Sequence, residues 1–61
     1  MEFFIYTLRK NGRTFYGTND HDDAIRTARA RAKLYNCIIA INDNRPRYKR
    51  PWATMLCYPD D

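Results

Sequence analysis

Four cations crowd into six positions at Arg45, Arg47, Lys49 and Arg50, inside the stretch "NDNRPRYKRPW" at 42–52. Guanidinium forks grip carboxylate or phosphate in a bidentate manner that a lysine ammonium cannot match. Tyr48 and Trp52 add rings that stack on a nucleobase or fill a pocket on a partner, and Arg, Tyr and Trp are the residue types enriched in binding hot spots. Pro46 and Pro51 stiffen the segment, which lowers the entropy lost when it is ordered against a partner. The partner-binding candidates are therefore Arg45, Arg47, Tyr48, Lys49, Arg50 and Trp52. The bland alternative is a basic turn kept soluble by its charges.

A second group of candidates lies nearer the N-terminus. Arg26, Arg29 and Lys33 share one stripe on a helical wheel and can meet phosphate, and Tyr16, on the second strand, is a further candidate. Asp22 sits one turn before Arg26, so part of this charge is expected to be paired locally. "NDHDD" at 19–23 has the composition of a metal cluster, but consecutive residues at a helix start radiate to different sides, and a capping segment is the simpler reading. Cys37 and Cys57 do not have a zinc spacing. They are either cross-strand neighbours able to bridge or, as favoured, reduced thiols packed like small apolar residues. The chain has one histidine, no serine and no pair of carboxylates in an apolar setting. A Cys–His pair would need His21 at the helix start to reach a thiol on a strand, which nothing in the pattern supports, and a non-enzymatic protein without cofactor or metal is expected.

Size bounds the rest. Sixty-one residues make one domain, 1–61, which buries only about 60% of its unfolded surface. There is little room for a deep cleft with supporting shells. Nine aromatic residues (three Phe, five Tyr, one Trp) are too many for a disordered chain and too many for so small a core to hide, so some must serve at the surface. The net charge of +4 and pI near 9.4 favour an acidic protein surface, a nucleoprotein complex or nucleic acid as partner. "MEFFIYTLRK" lacks the features of a signal peptide, and no apolar run is long enough to span a bilayer. No membrane partner and a cytoplasmic location are expected.

The elements that position these residues follow from pattern. "EFFIYTLR" at 2–9 and "RTFYGT" at 13–18 are strands joined by Asn11-Gly12, the strongest short hairpin signal, because both turn residues need positive φ. That turn sets Leu8 against Phe15 and Tyr6 against Gly17, so Phe4, Tyr6, Leu8 and Phe15 should face the core. Phe3, Ile5, Thr7, Arg9, Thr14 and Tyr16 should line the other, mixed face. A helix is expected from Asp20 to Tyr35, with acids in its first turn, Asn36 as C-cap, and an apolar stripe of Ile25, Ala28, Ala32 and Tyr35 with Ala24 beside it. Two further strands, 37–42 and 52–58, close a nine-residue loop over 43–51. The register predicted for them sets Ile39 against Met55 and Cys37 against Cys57. One face then holds Cys37, Ile39, Ile41, Ala53, Met55 and Cys57, and the other Ile38, Ala40, Trp52, Thr54, Leu56 and Tyr58. The fold class is α+β, a β-β-α-β-β order with one helix packed on one face of an antiparallel sheet.

In size and strand-strand-helix-strand-strand order the chain resembles small phage-encoded accessory proteins that bind host machinery, including anti-CRISPR proteins and inhibitors of host RNA polymerase. "TNDHDDAIRTARA" is similar to the strand-to-helix pattern T-x-x-x-x-[DE]-A-[IL]-x-x-A found in such proteins. The resemblance implies a compact inhibitor that blocks a host complex by docking on a protein or nucleoprotein surface in the host cytoplasm. Here the basic loop and the open sheet face would do the docking. The alternative reading is a sequence-nonspecific single-stranded nucleic-acid binder, with rings on an open sheet stacking bases. A homodimer through Phe3, Ile5 and Tyr16, or through Trp52 and Leu56, is a further option.

Overall fold

A computed structural model describes residues 4–44 and 53–60. It contains β1 (Tyr6–Lys10), β2 (Arg13–Thr18), α1 (His21–Tyr35), β3 (Ile39–Asp43) and β4 (Ala53–Cys57). The four strands form one sheet in the order β2-β1-β3-β4, with every neighbouring pair antiparallel. The domain is α+β, with the helix laid against one face of the sheet. β1 and β3 are the central strands, and α1 carries the chain past β1 to connect β2 with β3.

The Asn11-Gly12 turn forms as its chemistry requires, with φ of 55° at Asn11 and 77° at Gly12. Beyond it the register departs from the simple hairpin. Lys10 pairs Arg13 and Arg9 pairs Thr14, but Leu8 then faces Tyr16 across a bulge, and Phe15 is the extra residue. A bulge adds one residue to one strand and reverses the side-chain alternation beyond it. Tyr6 and Leu8 are buried as expected, whereas Ile5 and Tyr16, rather than Phe4 and Phe15, pack against the core. Phe4 instead covers Gly17. A Cβ built at Gly17 would lie 2.6 Å from the Phe4 ring, so this strand glycine makes room for a ring on the sheet face away from the helix.

α1 begins one residue inside the predicted start. Asp20 is its N-cap and accepts from the Asp22 and Asp23 N–H groups at 2.9 and 3.3 Å. It ends at Asn36, which adopts the left-handed conformation. Cys37 then donates its N–H to the Ala32 carbonyl at 3.1 Å. That bond spends Cys37 on the helix end, which explains why β3 starts at Ile39 rather than at 37. Ala24, Ala28 and Ala32 recur every four residues and have no exposed surface. With no side chain beyond Cβ, they let the helix backbone approach Leu8, Ile39, Ile41 and Cys57 in the sheet.

Between β3 and β4 the pairing is Ile39 with Cys57, Ala40 with Leu56, Ile41 with Met55 and, after a shift, Asn42 with Ala53. This lies two positions from the predicted register over most of the ladder. A slip of two keeps each side chain on its face. Ile39, Ile41 and Cys57 accordingly face the core, with Cys37 and Met55 partly buried against it. Cys57 faces Ile39, not Cys37, and both cysteines are free thiols.

Candidate binding surfaces

The loop candidates Arg45, Arg47, Tyr48, Lys49, Arg50 and Trp52 lie outside the described residues, as does Phe3. The structure does describe the root from which the loop leaves. Asp43 pairs with Tyr6, and Asn42 pairs with both Thr7 and Ala53. Asn44 donates its backbone N–H to the Ile5 carbonyl at 2.7 Å, and its Nδ2 donates to the Phe4 carbonyl at 3.3 Å and Thr7 Oγ1 at 3.1 Å. Asn19 Oδ1 accepts from the Ile5 N–H at 3.0 Å. The segment before β1 is thus fastened on both sides, and the loop springs from a tied root. Tyr6 meets His21 edge-on at 5.2 Å, so this root sits at the same end of the domain as the start of α1.

The helix stripe divides. Arg26 pairs with Asp23 at 3.5 Å. The expected partner Asp22 instead lies 3.7 Å from His21 Nδ1 and is almost fully exposed. Arg29 and Lys33 are exposed, and no carboxylate among the described residues pairs with them. Tyr16, expected on an open face, is half-buried, and its hydroxyl donates to Asp23 Oδ2 at 2.6 Å. That hydrogen bond, with some desolvation, raises the Tyr16 phenol above its ordinary pKa. The same bond, then the Thr18 hydroxyl and the Arg26 guanidinium, lowers the Asp23 carboxyl. Tyr16 therefore fastens β2 to the first turn of α1. In "NDHDD" the Asp20 carboxylate is spent on helix N–H groups, and among the described residues no three His, Cys, Asp or Glu gather to hold an ion.

On the sheet face away from α1, Arg9 and Leu56 flank Ala40 in one row across β1, β3 and β4. Leu56 is 46% exposed, and Ile38 and Tyr58, of the same strand parity, are about half exposed. Ile38, Leu56 and Tyr58 are exposed as expected for this face, and Phe4 joins it where Ile5 and Tyr16 were expected.

One constellation escaped the sequence reading as a site. At the hairpin tip, Lys10, Asn11, Arg13, Phe15 and Tyr35 line a groove of about 530 Å³. Lys10 Nζ stands 4.0 Å from the centre of the Tyr35 ring. The Arg31 guanidinium lies 5.9 Å from the same ring, and its Nη1 donates to the Tyr35 hydroxyl at 3.3 Å. Phe15 meets Tyr35 edge-on at 6.2 Å. The available signal was the Asn-Gly turn itself, which obliges Lys10 and Arg13 to face each other. The bulge that brings Phe15 to Tyr35 has no comparable sequence mark. Among the described residues no helix is long and apolar enough to cross a membrane. No family model, no curated protein and no solved structure matches the chain.

Proposed function

We propose that this chain is a small non-enzymatic binding protein, a phage-type inhibitor that docks on a host protein or nucleoprotein complex with an acidic surface. The observation that carries this reading is the sheet face opposite the helix. It presents Phe4, Ile38, Leu56 and Tyr58 partly exposed, with Arg9 in their midst. A monomer of this size gains nothing from leaving four large apolar side chains on one side, and apolar surface of this kind marks contact surfaces. The excess of cations gives that surface its preference for acidic partners. The Arg45–Trp52 segment supplies the hot-spot residue types, and its root is tied to the chain start through Asn44.

The test uses purified host RNA polymerase and CRISPR effector complexes, with binding read by native gel shift and inhibition by transcription or cleavage assay. Binding is expected to persist after nuclease treatment and to fall little with salt, as a hot-spot interface does. Arg45→Ala with Arg47→Ala should abolish it while the far-ultraviolet circular dichroism stays unchanged. Wild-type levels of binding and inhibition in that double variant would reduce the loop to a solvated turn.

A further inference from the structure

We propose that the groove at the β1–β2 tip is a nucleotide-phosphate site that takes a nucleotide, free or within a single strand. Its phosphate groups would lie against Lys10 and Arg13, one to each, and its base against Phe15. This does not rest on the docking reading, since it involves different residues, gathered at the end of the helix instead of on the open sheet face.

Three observations converge. The first is charge without counter-charge. Lys10 and Arg13 are directly opposed partners in the ladder, an arrangement of like charges that costs stability unless something neutralises it. The described ion pairs are His21–Asp22 and Arg26–Asp23, and neither involves Lys10, Arg13 or Arg31. The acids of α1 lie in its first turn, while the groove lies against Tyr35, its last residue. An anion bound there would supply the missing charge.

The second is organisation. Tyr35 holds Lys10 over its face and Arg31 through both ring and hydroxyl. A ring quadrupole positions a cation without cancelling its charge, as a carboxylate would. Lys10 from β1 and Arg31 from α1 meet this one ring, and Arg13 from β2 lines the same groove. Cations near a helix C-terminus also answer its dipole. Lys33 does so from the last turn of the helix, but that leaves the Lys10–Arg13 pair on the hairpin unexplained.

The third is shape and chemistry. A volume of about 530 Å³ falls within the range of small-ligand sites. Phe15, released from the core face by the bulge, keeps 37% of its surface exposed. A ring beside unpaired cations is the pairing that binds base and phosphate together.

The experiment titrates ¹⁵N-labelled full-length protein with a ten-residue oligothymidylate, with ATP, and with a polyglutamate peptide as charge control. A fluorescein-labelled oligothymidylate gives affinities over a salt series. Amides of Lys10, Gly12, Phe15 and Tyr35 are expected to shift with the oligonucleotide. Lys10→Ala with Arg13→Ala should weaken binding at least about tenfold and reduce the log–log salt slope by about 1.4, two phosphate contacts on a single strand. Should that double variant lose its fold, Arg13→Gln, at the exposed start of β2, should lower the slope by about half as much. ATP shifting the same amides would identify a free nucleotide as sufficient. ATP remaining silent while the oligonucleotide shifts them would identify a strand. Unshifted groove amides with both ligands would overturn the proposal, as would polyglutamate matching the oligonucleotide or a salt slope unchanged in the folded variant.

Discussion

Asp23 shows how one side chain can fasten two elements and make stability depend on pH. Its carboxylate accepts from the Tyr16 hydroxyl at 2.6 Å and lies 3.5 Å from Arg26. The Tyr16 bond is the main reason its pKa is lowered and the Tyr16 pKa raised. An unfolded Asp takes up a proton near pH 3.9, and the folded carboxyl does so only at lower pH. The pair's contribution is therefore complete above about pH 4 and is lost as pH falls through the lowered value. Tyr16 acts in the opposite direction. Its contribution is complete below about pH 10, where the unfolded phenol begins to ionise, and is lost as pH rises through the raised value. Urea midpoints measured from pH 2 to pH 11 should show both limbs. The difference between wild type and Asp23→Asn isolates this pair from the other carboxylates. A pH-independent difference would mean that the hydrogen bond carries no linkage.

At the scale of elements, parity was legible where exact register was not. Alternation along 37–42 and 52–58 names the buried side because only one assignment puts Ile39, Ile41 and Cys57 together. The two-position slip keeps Ile39, Ile41 and Cys57 on that side while changing their partners, so that Ile39 meets Cys57 instead of Met55 and the Cys37–Cys57 pairing is lost. In β2 the same reasoning failed by one position. A bulge has no composition signal comparable to Asn-Gly, and Phe15 and Tyr16 are equally plausible core rings. Only packing decides between them, through the Tyr16–Asp23 bond on one side and the Phe4–Gly17 contact on the other. That contact yields a prediction. Gly17→Ala places a methyl 2.6 Å from the Phe4 ring atoms and 2.9 Å from its Cβ, and Phe4 is held through its carbonyl by Asn44. Overpacking of this kind costs about 1–3 kcal/mol. Phe4→Ala in the Gly17→Ala background should recover part of that loss in chemical denaturation. A strictly additive double variant would show that the ring moves aside freely.

For the molecule as a whole, the margin of stability is thin and rests on few residues. Among the described residues the only large side chains with essentially no exposed surface are Leu8 and Ile39. The helix meets them with three alanines, which bring the backbones close but bury little area of their own. Ala28 and Ala32 on the expected stripe, with Ala24 beside it, already pointed to a close helix–sheet approach, whereas Ile25 is only partly buried and Tyr35 is exposed. The candidate sites were less legible because binding residues on so small a domain need no motif, only a face that the core does not claim. This division has a measurable consequence. Leu8→Ala removes the centre of the core and should cost about 2–5 kcal/mol. A chain under 70 residues rarely holds more than about 3–5 kcal/mol in total, so this variant should be largely unfolded at 25 °C by circular dichroism. Leu56→Ala, nearly half exposed on the opposite sheet face, should change stability by less than about 1 kcal/mol and leave the fold intact. If Leu8→Ala still melts cooperatively near the wild-type temperature, the core extends beyond the Leu8–Ile39 contact with the helix. If instead Leu56→Ala unfolds the chain, the exposed sheet face belongs to the stability of the domain, and its apolar side chains no longer argue for a partner.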